Sequence, residues 1–198
     1  MAEVLRLFIS ATRDLEPQRA LIGRAIAQLP VRVGIEIRRT PPNKAVYEDI
    51  FERIANCDRF YFILGRDITA PAGTEWDIAH QLDIPILALR RAGSLTPAAQ
   101  AFLHTHPTQW HPFRNDEELV RLIVRDVIDR LLHPTNRYGL TVGEIERLRT
   151  HLQTLNQTTS HTPDDPGGAE GGGILLDDLR RIPITGHSLS PPHDDPKS

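Results

Sequence analysis

Four short apolar runs, at residues 4–10, 31–37, 59–64 and 84–89, alternate with amphipathic helical stretches, and that rhythm leaves few folds open to this chain. Alternating strands and helices joined by short connections predict a parallel sheet covered by helices on both faces. The run R-F-Y-F-I-L at 59–64 has no polar face, as a central strand buried on both sides requires. Between the first two runs, Leu21, Ile22, Ala25, Ile26 and Leu29 form a helical stripe that Asp14 is placed to cap and Pro30 to end. A second helix is expected at 45–55, with Val46, Ile50, Phe51 and Ile54 on one side. A loop at 65–73 containing Pro71 and a third helix at 74–82 follow. Residues 97–104 read as helix, 108–110 as a short fifth strand, and 117–132 as a long helix capped by Asn115 or Asp116. The expectation is a small flavodoxin-like or Rossmann-like α/β three-layer sandwich at residues 1–134, with a four- or five-stranded parallel sheet. An accessory helix at 135–155 follows, with Val142, Ile145, Leu148, Leu152 and Leu155 at helical spacing.

From residue 156 to 198 the composition shifts to Gly, Pro, Ser, Thr, His and Asp, which cannot bury enough surface to fold, so a disordered tail is expected. One aliphatic island interrupts it at 174–184, where Ile174, Leu175, Leu176, Leu179, Ile182 and Ile184 cluster. The island reads either as a linear motif that docks on a protein partner or as a residual apolar patch. A formal net charge of −3 supplies no global field to attract nucleic acid or anionic lipid. No apolar run approaches the length of a membrane span, and the N-terminus has no charged leader before an apolar stretch, so a cytoplasmic location is expected. A single cysteine, Cys57, excludes an internal disulfide and a cysteine-based zinc site within the chain. His104, His106 and His111 match no common zinc spacing, and neither a P-loop nor a complete G-x-G-x-x-G is present. An NTPase and an ordinary dehydrogenase are thereby disfavoured.

In folds of this kind ligands bind at the carboxyl ends of the strands, here residues 10–13, 38–40, 65–67 and 90–91. Glu75 opens the expected third helix beside that edge. It is either a ligand-facing carboxylate or a first-turn residue favoured by the helix dipole. Ser10 and Thr12 can donate to phosphate or ribose, or instead cap the helix beginning near Asp14. Arg13, Arg38, Arg39 and Arg66 can pair with a diphosphate, or remain solvated loop charges. Trp76 can stack on a base, or pack on the sheet as a half-buried helix residue.

Three motifs occur in order. They are Leu7-Phe8-Ile9-Ser10-Ala11-Thr12-Arg13-Asp14-Leu15 with Gln18-Arg19, then Cys57-Asp58-Arg59-Phe60-Tyr61-Phe62-Ile63-Leu64-Gly65, then Thr74-Glu75-Trp76 with Ala79 and Ile84-Pro85-Ile86-Leu87. Over residues 4–90 the chain resembles a TIR-like family that opens with V-F-I-S-S-T-x-x-D-L, related to TIR domains and nucleoside 2-deoxyribosyltransferases. In those proteins a catalytic Glu precedes an Ala by four residues, and in the transferases a Pro by ten. Ala79 and Pro85 stand at those distances from Glu75, which selects it over Asp77. The short segment between Gly65 and Thr74 departs from relatives that carry more residues there.

The resemblance implies an effector that hydrolyses the N-glycosidic bond of NAD or a related nucleotide, in a prokaryotic defence or signalling system. Glu75 would be the catalytic carboxylate, and self-association would complete the pocket. No cofactor is expected, since NAD would be the substrate. A non-catalytic nucleotide-binding or protein-interaction module, and a nucleoside deoxyribosyltransferase or hydrolase, are the alternatives. Breaking such a bond develops oxocarbenium character on the ribose, which one nearby carboxylate can stabilise or trap covalently.

Overall fold

The computed structural model describes residues 3–40 and 47–157. Residues 45–46 of the second expected helix, and the expected disordered tail with its 174–184 island, lie outside the described residues. Strand β1 (Leu5–Ala11) leads through a 3₁₀ turn (Arg13–Leu15) into α1 (Glu16–Ala27) and β2 (Ile35–Arg38). Next come α2 (Tyr47–Ala55), β3 (Arg59–Leu64), α3 (Ala70–Gln81) and β4 (Ile86–Arg91). The chain continues through α4 (Pro97–Thr105), β5 (Trp110–Phe113), α5 (Asp116–Leu131) and α6 (Val142–Gln157). All five strands are parallel, in the order β2-β1-β3-β4-β5. The sheet is the flavodoxin-like doubly wound kind, whose switch point lies between β1 and β3.

Strand alternation sorts the core into two layers. On β1, Leu5, Leu7 and Ile9 pack with Ile22 and Ile26 of α1 and with Leu119, Ile123 and Val127 of α5. Phe8 of β1 faces the other way, among Phe60 and Phe62 of β3 and Trp76 and Ala79 of α3. Period-two geometry therefore puts Ser10 on the α3 face, two residues beyond Phe8. All six β3 residues are buried, as a strand covered on both sides must be. Arg59 forms a bidentate pair with Asp126 of α5, at 2.6 and 2.9 Å, and Tyr61 donates its hydroxyl to the same carboxylate at 2.8 Å.

Several elements depart from the sequence reading: β4 runs Ile86–Arg91 rather than 84–89, and the N-cap of α1 is Leu15, not Asp14. The second strand begins at Ile35 rather than Val31, because β1 starts at Leu5 and pairs it with Ile35, leaving Val31 and Val33 no strand to bond with. Those two valines pack on the core as a lead-in instead. Helix α3 starts at Ala70, so Pro71 and Gly73 are helical. A proline in the first turn sacrifices only an N–H that would have no intrahelical acceptor. The fifth strand runs through Pro112, which an edge strand tolerates because one side of it needs no ladder bonds.

Helix α6 docks on the α1–α5 layer through buried Leu148 and the partly buried Ile145, Leu152 and Leu155. Its start is a capping box. Thr141 Oγ1 accepts from the Glu144 N–H at 3.3 Å, and Glu144 Oε2 accepts from the Thr141 N–H at 2.9 Å. The same carboxylate accepts from the Arg32 N–H at 2.7 Å, tying the helix to the segment before β2. Backbone and hydroxyl donors from Thr141 hold its pKa down, to about 2. Among the described residues no helix is long and apolar enough to cross a membrane.

Candidate functional site at the sheet switch point

The exits of β1 and β3 diverge at the switch point, and a polar clip holds them together. Thr12 Oγ1 donates to Asp14 Oδ1 at 2.6 Å and accepts from the Gly65 N–H at 2.9 Å. The Arg66 N–H donates to Asp14 Oδ2 at 2.8 Å. Gly65 must lack a side chain here, since a Cβ would lie 2.0 Å from Asp14 Oδ2. The D-L and I-L-G motifs are thus two halves of one contact.

Beside this clip the chain encloses a cavity of about 670 Å³, lined by Ala11, Arg13, Glu16, Arg19, Arg39, Thr40, Thr69, Pro71, Ala72 and Glu75. A volume of that order suits a small-molecule ligand. Because α3 begins at Ala70, Glu75 lies in its second turn rather than its first. The helix dipole, which acts within the first turn, therefore offers no reason for a carboxylate at this position. Burial adds a reason against one: Glu75 is 2% exposed. Its Oε1 accepts from the Thr40 hydroxyl, which arrives from the segment after β2. Its Oε2 has no hydrogen-bond partner, and neither has the buried Ser10 Oγ. Desolvation raises the Glu75 pKa, against the opposing pull of Ser10, Thr40 and Arg19 and with a small push from Glu16. Ser10 is thus close enough to act on the carboxyl electrostatically without hydrogen-bond geometry to it.

The remaining sequence candidates divide. Arg13 and Arg39 line the cavity with Glu75. Thr12 has its hydroxyl engaged in the Asp14–Gly65 clip, and Arg66 is an exposed residue whose backbone serves that clip. Arg38 turns away to Glu36, at 3.0 and 3.1 Å, and to the backbone carbonyls of Arg53 and Asn56. Trp76, about 100° around α3 from Glu75, points into the second core layer and does not line the cavity. Its ring is 1% exposed, stacked on Trp110 at 5.4 Å and edge-on to Phe62 at 4.9 Å, so it packs the core. Thr40, Thr69, Glu16 and Arg19 line the cavity without having been singled out. The spacing of Glu16 and Arg19, three residues apart on one helix, was the available signal for that pair. Burial pushes the Cys57 thiol up to about 11, which makes it a poor nucleophile. Among the described residues no group of three or more His, Cys, Asp or Glu side chains is placed to hold a metal ion.

Fold and cavity together define a doubly wound α/β domain with a buried carboxylate at its switch point. No family model and no curated protein matches the chain. Among solved structures it is similar to the CMP N-glycosidase BcmB of Clostridium botulinum, at 16% identity and a TM-score of 0.42, over 60% of this chain and 97% of that one. It is also similar to the RPS4 and RRS1 TIR domain heterodimer, at 12% identity and a TM-score of 0.48, over 64% of this chain and 97% of that one. Neither likeness assigns a role to any residue here.

Proposed function

We propose that this chain is a TIR-like glycohydrolase that cleaves the N-glycosidic bond of NAD or a related nucleotide, with Glu75 as the catalytic carboxylate. One observation carries the reading. A carboxyl 2% exposed, with one oxygen unpartnered, lines a cavity whose other walls supply Arg13, Arg19 and Arg39. Such a group costs stability, and strain of that kind is kept where a ligand uses it. As the bond from C1′ of the ribose to nicotinamide breaks, its electron pair goes to the pyridinium nitrogen, which leaves as the neutral base. Positive charge then develops on the ribose, where an ionised carboxylate in a water-poor wall stabilises it. Water adds to C1′ and gives up a proton, which a carboxylate of raised pKa accepts more readily than an ordinary one. Arg13 and Arg39 would hold the phosphates, with Ser10 beside the carboxyl as a hydrogen-bond donor to the sugar. Self-association belongs to the reading, so turnover per chain should rise with protein concentration. A role in prokaryotic signalling or defence fits an effector of this kind.

The test is incubation of the full chain with NAD, and separately with deoxynucleosides plus a free base, followed by chromatography. Nicotinamide release by the wild type and its loss in Glu75→Gln support the proposal. Full activity in that variant removes Glu75 from the chemistry. No turnover at concentrations that force assembly favours a non-catalytic module, and turnover only of deoxynucleosides with free base favours a transferase.

A further inference from the structure

The cavity rim contains an ion-pair arrangement that the hydrolysis chemistry does not use. Glu16, the first residue of α1, is half exposed and lies between two arginines from different elements. Its Oε2 is 3.3 Å from Arg19 Nη1, one turn along the same helix, and its Oε1 is 3.6 Å from Arg39 Nη1, beyond β2. Arg19 is held in place by a second bond, from Nη2 to the Ala11 carbonyl at 3.2 Å, while its Nε has no partner. Arg13, on the same cavity, has no side-chain ion pair or side-chain hydrogen bond among the described residues, while its carbonyl accepts from the Glu16 N–H. The lining thus carries three guanidinium groups against the two carboxyls of Glu16 and Glu75, on a chain whose formal net charge is −3. That local excess of positive charge marks the rim as a place for an anion, while the buried Glu75 and Ser10, each with an unpartnered oxygen, mark the floor as a place for hydroxyls.

A single exposed carboxylate shared between two arginines is weakly held, because the Coulomb gain is screened and two long side chains must be ordered. A phosphate offers the same guanidinium groups more oxygens and more charge, and arginine matches it with paired hydrogen bonds. Resting on the nucleotide reading of this cavity, we propose that Glu16 is a built-in mimic of the ligand phosphate. It pairs Arg19 with Arg39 until a phosphorylated ligand displaces it, so Glu16 sets the threshold that an anionic ligand must exceed to reach those arginines. Glu16 acts here as a specificity residue; it takes no part in bond breaking.

Calorimetric titration of ADP-ribose, inorganic pyrophosphate and adenosine into the full-length wild type, Glu16→Gln and Arg39→Ala tests this at fixed ionic strength. Glu16→Gln should bind ADP-ribose and pyrophosphate about tenfold more tightly, the worth of one charge-assisted hydrogen bond freed for the ligand. Adenosine binding should be unchanged. Arg39→Ala should weaken both phosphorylated probes by about the same factor and again leave adenosine unchanged. Equal or weaker ADP-ribose binding by Glu16→Gln overturns the proposal, as does an equal gain for adenosine. Both substitutions are at exposed positions, and matching melting temperatures exclude a folding artefact. The expected binding pattern without NAD turnover would defeat the hydrolase reading and leave this one standing. Turnover without the Glu16 effect would do the reverse, and a failure of every variant to bind the phosphorylated probes would overturn this proposal whatever the turnover.

Discussion

Replacing Glu75 by Gln should make the protein more stable, and the gain should depend on pH. The side chain is 2% exposed, with Oε1 bonded to the Thr40 hydroxyl and Oε2 without a partner. A buried polar atom left unpaired costs about 1–3 kcal/mol, and an ionised one lies at the upper end. Gln keeps the shape and an acceptor for Thr40, and removes the charge. Allowing for the favourable influence of Ser10, Thr40 and Arg19 on the carboxylate, the net gain at neutral pH is about 1–2 kcal/mol. For a domain of this size that is a rise of about 2–8 °C in melting temperature. Burial raises the folded-state pKa, so the folded chain keeps its proton to higher pH than the unfolded chain, whose carboxyl titrates near the ordinary 4.5. Wild-type stability therefore declines as pH climbs from 4.5 to the raised value, and the penalty is complete above it. The Gln variant has no such titration, so its advantage should open across that window and close below it. Urea denaturation of both proteins over a pH series reads the difference directly. A Gln variant less stable than wild type at neutral pH, or a gap that does not change with pH, would refute the claim that an uncompensated charge is stored in this wall.

Two further expectations concern the frame of the site. Gly65→Ala should destabilise by about 2 kcal/mol, since the new methyl displaces an Asp14 carboxylate that two hydrogen bonds hold, and Asp14→Ala in the same chain should reduce the added cost. Denaturation of the single and double variants measures that coupling, and simple additivity would contradict it. The Glu144 pKa is lowered to about 2, so its contribution is intact above the ordinary 4.5 and fades as pH falls toward 2. Protection of α6 amides, relative to their intrinsic exchange rate at each pH, should fall in that interval before that of the sheet amides does, and Glu144→Gln should show the lower protection already at neutral pH.

The strand–helix order and the parallel sheet were legible because apolar periodicity encodes them directly. β3 matches its expected bounds to the residue, and Asn115 caps α5, accepting from the Glu118 N–H at 2.8 Å. Boundaries failed where pairing partners decide them. Val31 and Val33 alternate like strand residues, but only the register with β1 reveals that nothing lies beside them. Pro71 reads as a loop signal unless its place in a first helical turn is known. In the site, Arg13 and Arg39 were visible as residue types at strand exits, and Glu75 through its place on the expected third helix and its spacing to Ala79 and Pro85. The rest was not, because Thr40 meets Glu75 across 35 positions of sequence and Glu16 meets Arg39 only through the fold. Trp76 illustrates the converse: adjacency to Glu75 in sequence turns its ring about 100° around the helix, into the core.

That divergence gives the protein an optical reporter. The chain holds two tryptophans, and both are in one stack, Trp76 against Trp110 at 5.4 Å with their planes 10° apart. Their emission therefore comes from a single stack, whose Trp76 member is one peptide bond from Glu75 but does not line the cavity. Any ligand that shifts α3 must disturb that stack, while one that settles against the rim without moving the helix leaves it dark. Unlabelled protein can thus separate occupancy of the cavity from movement of its wall.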